Sequence, residues 1–212
     1  MKFTLTLVLL MLTATALRGR TDALANSLTI YTQFAQPPSH QIIEYMKTEL
    51  ESAMQPFHRR VIWRSLDRAD GHEAAAEIMV VTFKGDCRMD ARDIPRGPRG
   101  PLGWTHIADG EILPFADVDC DQVRDLLHSV WLHVMPGFRD AVFGRALARV
   151  LAHELYHYLT HSTRHASTGI AKATYSAADL VANSMVFDQA QLHNVLAGAP
   201  HSAVIQHLDM RP

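Results

Sequence analysis

The sequence predicts an α+β fold, and three of its features lead there. Strand-like and helix-like stretches follow in the order strand, helix, strand, strand, hairpin, helix, so they do not alternate as a doubly wound sheet requires. Asp109-Gly110 sits between two strand-like segments and is the strongest short-range hairpin signal available. A long helical segment then carries His153-Glu154-Leu155-Tyr156-His157, whose two histidines share one helix face.

The chain opens with Met1-Lys2 and an uncharged apolar run over 3–17, within the range of a signal-peptide core. Ala14-Thr15-Ala16 has the small residues of a cleavage site, which predicts a signal peptide over 1–16 and a secreted or periplasmic protein. The run is shorter than the roughly 20 apolar residues of a membrane span, so no stable span is expected once it is removed. Residues 17–212 are then expected to form one domain with its own core.

Within that domain, 27–34 reads as a strand. Residues 38–57 place Ile42, Ile43, Met46, Leu50 and Met54 near helical spacing, which predicts an amphipathic helix. Strands are expected over 60–66 and 77–84, the second carrying Ile78, Met79, Val80, Val81 and Phe83 as a nearly continuous core run. Gly, Pro, Arg and Asp crowd 85–103 and mark a long loop. The hairpin strands are 103–108 and 111–118, and 121–134 has apolar residues at helical spacing. Pro136-Gly137 precedes the long helix, whose apolar positions over 138–152 are interleaved with Arg139, Arg145 and Arg149. A final helix is expected over 177–196.

Composition narrows the partners. A formal charge of −2 with 20% charged residues is ordinary and carries no sign of a basic excess, so no nucleic-acid partner is expected. Cys87 and Cys120 are the only cysteines, and in an exported protein such a pair reads first as one disulfide. The rival reading makes Cys87, beside Asp86, a thiolate that blocks a metal.

The five residues from His153 to His157 compress the parts of a zinc hydrolase. One helical turn separates the histidines, so both imidazoles can reach a single ion. Glu154 is placed to take a proton from a water on that ion. A catalytic zinc takes three protein ligands and a water. His161 is eight residues beyond His153, about 12 Å along a helix, so one straight helix cannot supply all three. The third ligand must follow a turn, and residues 160–164, with Thr160, Ser162 and Thr163, are weak helix formers. His165, just past that turn, is the expected third ligand. Asp179 and His161 are the alternatives, although Ser176 and Asp179 also read as a capping box. No glutamate follows Glu154 that could take the role instead.

The run His153–Ala171 resembles the metzincin zinc-peptidase signature, H-E-x-x-H-x-x-G-x-x-H followed by a methionine turn. It is also similar to poorly characterised bacterial zincins in which H-S and G-I-M follow the motif, and Gly169-Ile170 matches the G-I. The spacer before the third histidine is two residues longer than in metzincins, Thr160 stands at the glycine position, and Ala171 stands where the methionine would be. The resemblance implies His153, His157 and His165 as ligands of one catalytic Zn2+, with Glu154 as general base of a metalloendopeptidase. It implies a twisted mixed sheet packed on a long helix, with the active-site helix and a C-terminal helix. It also implies a peptide or protein substrate bound by β-addition to an edge strand, for which the hairpin around Asp109-Gly110 is the candidate. Tyr175 is a candidate donor to the oxyanion. The rival class is a catalytically inactive zincin-like protein that binds a metal or a partner. The absent methionine favours it and the intact Glu154 opposes it.

Overall fold

A computed structural model describes residues 26–71, 75–89 and 100–198. The expected signal peptide over 1–16 lies outside them, as does most of the expected loop over 85–103. Five strands, β1 (Ser27–Gln36), β2 (Arg60–Ser65), β3 (Glu77–Asp86), β4 (Gly103–Ala108) and β5 (Glu111–Asp119), form one sheet in the order β2-β1-β3-β5-β4. β1 pairs in parallel with β2 and β3, and β3 in parallel with β5. Only β4 runs antiparallel, on an edge beside β5. The layout is therefore mixed α+β, as the element order predicts, and its sheet is mostly parallel.

The hairpin forms where the Asp-Gly pair places it. Asp109 and Gly110 both have positive φ, 52° and 82°, which suits a tight turn matched to strand twist. Further along, Pro114 lies in β5 and has no N–H to give to β4. The register slips there, from Thr105 opposite Ala116 to Ile107 opposite Ile112.

Six α-helices and three short 3-10 turns join it among the described residues, the α-helices being α1 (His40–Met54), α2 (Cys120–Leu126), α3 (His128–Trp131), α4 (Arg139–Thr160), α5 (Ala177–Val181) and α6 (Gln189–Gly198). Ser39 caps α1 by accepting the Ile42 N–H, and its hydroxyl also donates to Asp140 at the start of α4. Ile42, Met46, Leu50 and Met54 of α1 are buried with Leu28, Ile30, Met79, Val81 and Phe83 of the sheet and Leu147, Leu151 and Leu155 of α4. No helix among the described residues is long and apolar enough to cross a membrane.

Two helices differ from expectation. The segment read as one helix over 121–134 is two short ones, parted at Leu127, whose ψ of 4° leaves the helical range. The final helix expected over 177–196 is also two. The Ser176–Asp179 capping box starts α5, but the chain turns extended at Ala182, ψ 149°, where its carbonyl accepts from Arg145. Val186 then accepts the Ile170 N–H, and Asp188 starts α6 by accepting from the Gln191 N–H. Apolar spacing runs through both segments, and tertiary hydrogen bonds override it.

The arginines of α4 are ties rather than a solvated stripe. Arg149 is fully buried and donates to Glu49 of α1 at 2.7 Å and to the Asp179 and Leu180 carbonyls. At Gly144 α1 and α4 approach closely, since a Cβ there would lie 2.5 Å from the Ile42 carbonyl oxygen and 2.9 Å from the Tyr45 Cβ. Gly144→Ala should gain about 1 kcal/mol in helix propensity and lose about 1–3 kcal/mol to overpacking. A net fall in the denaturant midpoint is expected, and a rise would show that the helices part freely.

Candidate metal centre

The C-terminal half of α4 places His153, Glu154 and His157 among buried residues. The helix ends at Thr160 because His161 turns left-handed, with φ 47° and ψ 40°. Histidine tolerates that region better than most residues, and the His161 and Ser162 N–H groups bond back to the last carbonyls, including that of His157. The reversal brings the exposed His165 over the helix face. Its ring centroid lies 5.1 Å from that of His153 and 4.8 Å from that of His157. One ligand atom from each of the three lies within 4.8 Å of the others, so the trio can hold a metal ion.

The two helix histidines are oriented from behind. His153 Nδ1 donates to the Ile170 carbonyl at 2.9 Å, and His157 Nδ1 donates to the Ser162 carbonyl at 2.7 Å. A carbonyl can only accept, so the single proton of each neutral ring sits on Nδ1. Both Nε2 atoms therefore present lone pairs, and they face each other at 3.0 Å. Two acceptors that close require a proton or a cation between them. Burial pushes the His153 imidazole down to about 4 and lowers that of His157, which disfavours a proton. The donor set fits a metal held by Nε2 atoms and braced through Nδ1.

The alternatives for the third position lie elsewhere. Asp179 accepts from the Ser176 N–H and pairs with Lys172 at 2.6 Å. Those bonds hold its carboxyl down to about 2. His161 is the left-handed cap. Neither belongs to the three-histidine group. The Tyr175 hydroxyl donates to the Ile170 carbonyl and lies 3.4 Å from His153 Nδ1. It sits on the braced side of that ring and not at Nε2, which does not suit the oxyanion role expected of it. Ala171, at the place of the methionine, is fully buried and accepts the Ala166 N–H through its carbonyl. Cys87 is bonded to Cys120, so it is no blocking thiolate.

A cleft of about 580 Å³ opens over the histidines. Glu154 lines it, with Gly103, Trp104 and Thr105 of β4 forming one wall and Thr163, Lys172 and Tyr175 the other. Leu102, Leu126 and Val150 add apolar surface. Burial pushes the Glu154 carboxyl up to about 7, while the Thr105 hydroxyl, 2.8 Å from Oε2, pulls it back. A carboxyl poised near neutrality is what general-base work needs. Sequence reading did not single out Thr105 or Gly103. Their two-residue spacing on one strand face was legible, but the face of α4 they meet was not. No protein-family model matches this chain, and no curated protein matches it.

Proposed function

We propose that the protein is an exported zinc-dependent peptidase, with a metzincin-like site made of His153, His157, His165 and the base Glu154. The observation that carries this reading is the pair of Nε2 lone pairs 3.0 Å apart on buried rings braced at Nδ1, with a carboxylate in the same cleft. Two nitrogens on one tetrahedral zinc lie roughly 3.3 Å apart, close to that separation. Three histidines without a thiolate leave a fourth position for water, as catalytic zinc sites do. The disulfide suits an oxidising compartment.

Zinc bound there supplies Lewis acidity, which acidifies water and polarises a carbonyl. Glu154 takes the proton of the attacking water and passes it to the leaving amine. The antiparallel strand β4 lines the cleft, and among the described residues no strand pairs with its outer edge, where an extended peptide can add. Lys172 is neutralised by Asp179, and Glu154 is a lining carboxyl with no ion-pair partner among the described residues.

Incubation of the zinc-loaded protein with a mixed peptide library tests the proposal. Cleavage that stops with chelator and returns with zinc is expected. A folded, zinc-bound protein that cleaves nothing would overturn the peptidase reading and leave a metal- or partner-binding zincin-like protein.

A further inference from the structure

We propose that Thr105 is a positioning residue for Glu154, its hydroxyl holding the carboxylate from the edge strand. The proposal rests on the peptidase reading for its catalytic meaning, and on geometry for the contact. Thr105 Oγ1 donates to Glu154 Oε2 at 2.8 Å, while the Glu154 main-chain oxygen is a longer 3.3 Å away. A hydroxyl has one proton, and the shorter, anionic acceptor takes it.

The backbone is shaped for this contact in two ways. First, the register of β4 slips immediately after Thr105, where Leu113, Pro114 and Phe115 of β5 lie opposite His106 alone. Such irregularities re-aim side chains and are over-represented beside active sites. His106 turns to Asp117 on the other side of the strand, at 2.8 Å. Second, Gly103, two residues back on the Thr105 face, leaves room for the carboxylate, because a Cβ there would stand 3.1 Å from Glu154 Oε1 and 2.8 Å from Val150 Cγ1. One carboxylate oxygen thus lies against a bare backbone and the other accepts from Thr105.

The physical need is clear. A glutamate side chain has several rotatable bonds, and ordering it costs conformational entropy. A base misplaced by about 1 Å can lose on the order of 100-fold in rate. A hydroxyl on the strand that also walls the cleft removes that freedom before substrate arrives.

Thr105→Val removes the hydroxyl and keeps the shape, and Thr105→Ser restores the hydroxyl. On the zinc-loaded full chain, Thr105→Val should lower kcat at least tenfold with KM within twofold, and Thr105→Ser should keep kcat within threefold. A second readout needs no turnover: calorimetric titration with acetohydroxamate, a zinc chelator whose polar hydrogen can donate to Glu154. Thr105→Val should weaken it about fivefold, Thr105→Ser should not, and in a Glu154→Ala background Thr105→Val should add nothing. Unchanged kcat and hydroxamate affinity in Thr105→Val, or equal losses in the serine variant, would overturn the positioning role. Wild type that binds hydroxamate but cleaves no peptide would sink the peptidase reading alone, with the hydroxamate arm still deciding the contact. Wild type that binds no hydroxamate with zinc in place would overturn both.

Discussion

Glu154→Gln is expected to keep the metal and to lower peptide hydrolysis by about 100- to 10,000-fold, the usual worth of a general base. Glutamine can still accept the Thr105 hydroxyl but cannot take a proton from water. A second, opposite effect follows from burial. The Glu154 carboxyl is pushed from 4.5 up to about 7 in the metal-free fold. The folded state therefore holds this proton more tightly than the unfolded chain does. Stability from this group is fully present below 4.5 and is lost as pH rises toward 7. Above pH 7 the charged carboxylate destabilises the fold by at most about 3 kcal/mol. Chelated Glu154→Gln should thus have a higher denaturant midpoint than chelated wild type at pH 8, with the advantage gone by pH 4.5. Full activity in the variant would remove Glu154 as the base, and an equal midpoint at pH 8 would show that its carboxylate is well solvated.

Loss of the Cys87–Cys120 bond has the next largest expected effect. The disulfide joins the residue after β3 to the first residue of α2 across a separation of 33 residues, and β4 and β5 lie in the loop it closes. Closing a loop of that length constrains the unfolded chain by about 3–4 kcal/mol. Both cysteines are fully buried, and the same corner is tied by Arg124, which donates to the Asp86 and Arg88 carbonyls. The Cys87→Ala, Cys120→Ala double variant should lose about that much stability by denaturant titration. Its zinc content should not change, because all three histidines lie outside the loop. Zinc lost together with the disulfide would mean that the sheet edge and the metal centre fold as one unit.

What could be read from the chain divides along physical lines. Local signals held: the α1 spacing, the Asp109-Gly110 turn and the end of α4 at residues 160–161 are set by neighbours in sequence. The reversal that brings His165 to His153 follows from helix rise and from weak helix formers, so the trio was legible too. Parallel pairing of β1 with both β2 and β3 was not, because strand partners distant in sequence leave no local mark. The split of the last helix was hidden for a related reason. Apolar spacing is continuous there, and what breaks it is Arg145 from α4 bonding to the Ala182 carbonyl. The partners of Arg149 leave no local mark either, since Glu49, Asp179 and Leu180 lie 30 to 100 residues away in sequence. Tyr175 is a candidate oxyanion donor by sequence, but its hydroxyl donates to the Ile170 carbonyl.

The central claim is that His153, His157 and His165 together hold one zinc. Elemental mass spectrometry of the protein, run beside a folded His165→Ala variant, tests it most directly. One zinc per wild-type chain and a clear loss in the variant are predicted. Folded wild type that takes up no zinc when supplied with it, or a variant that keeps full occupancy, would contradict the three-histidine site.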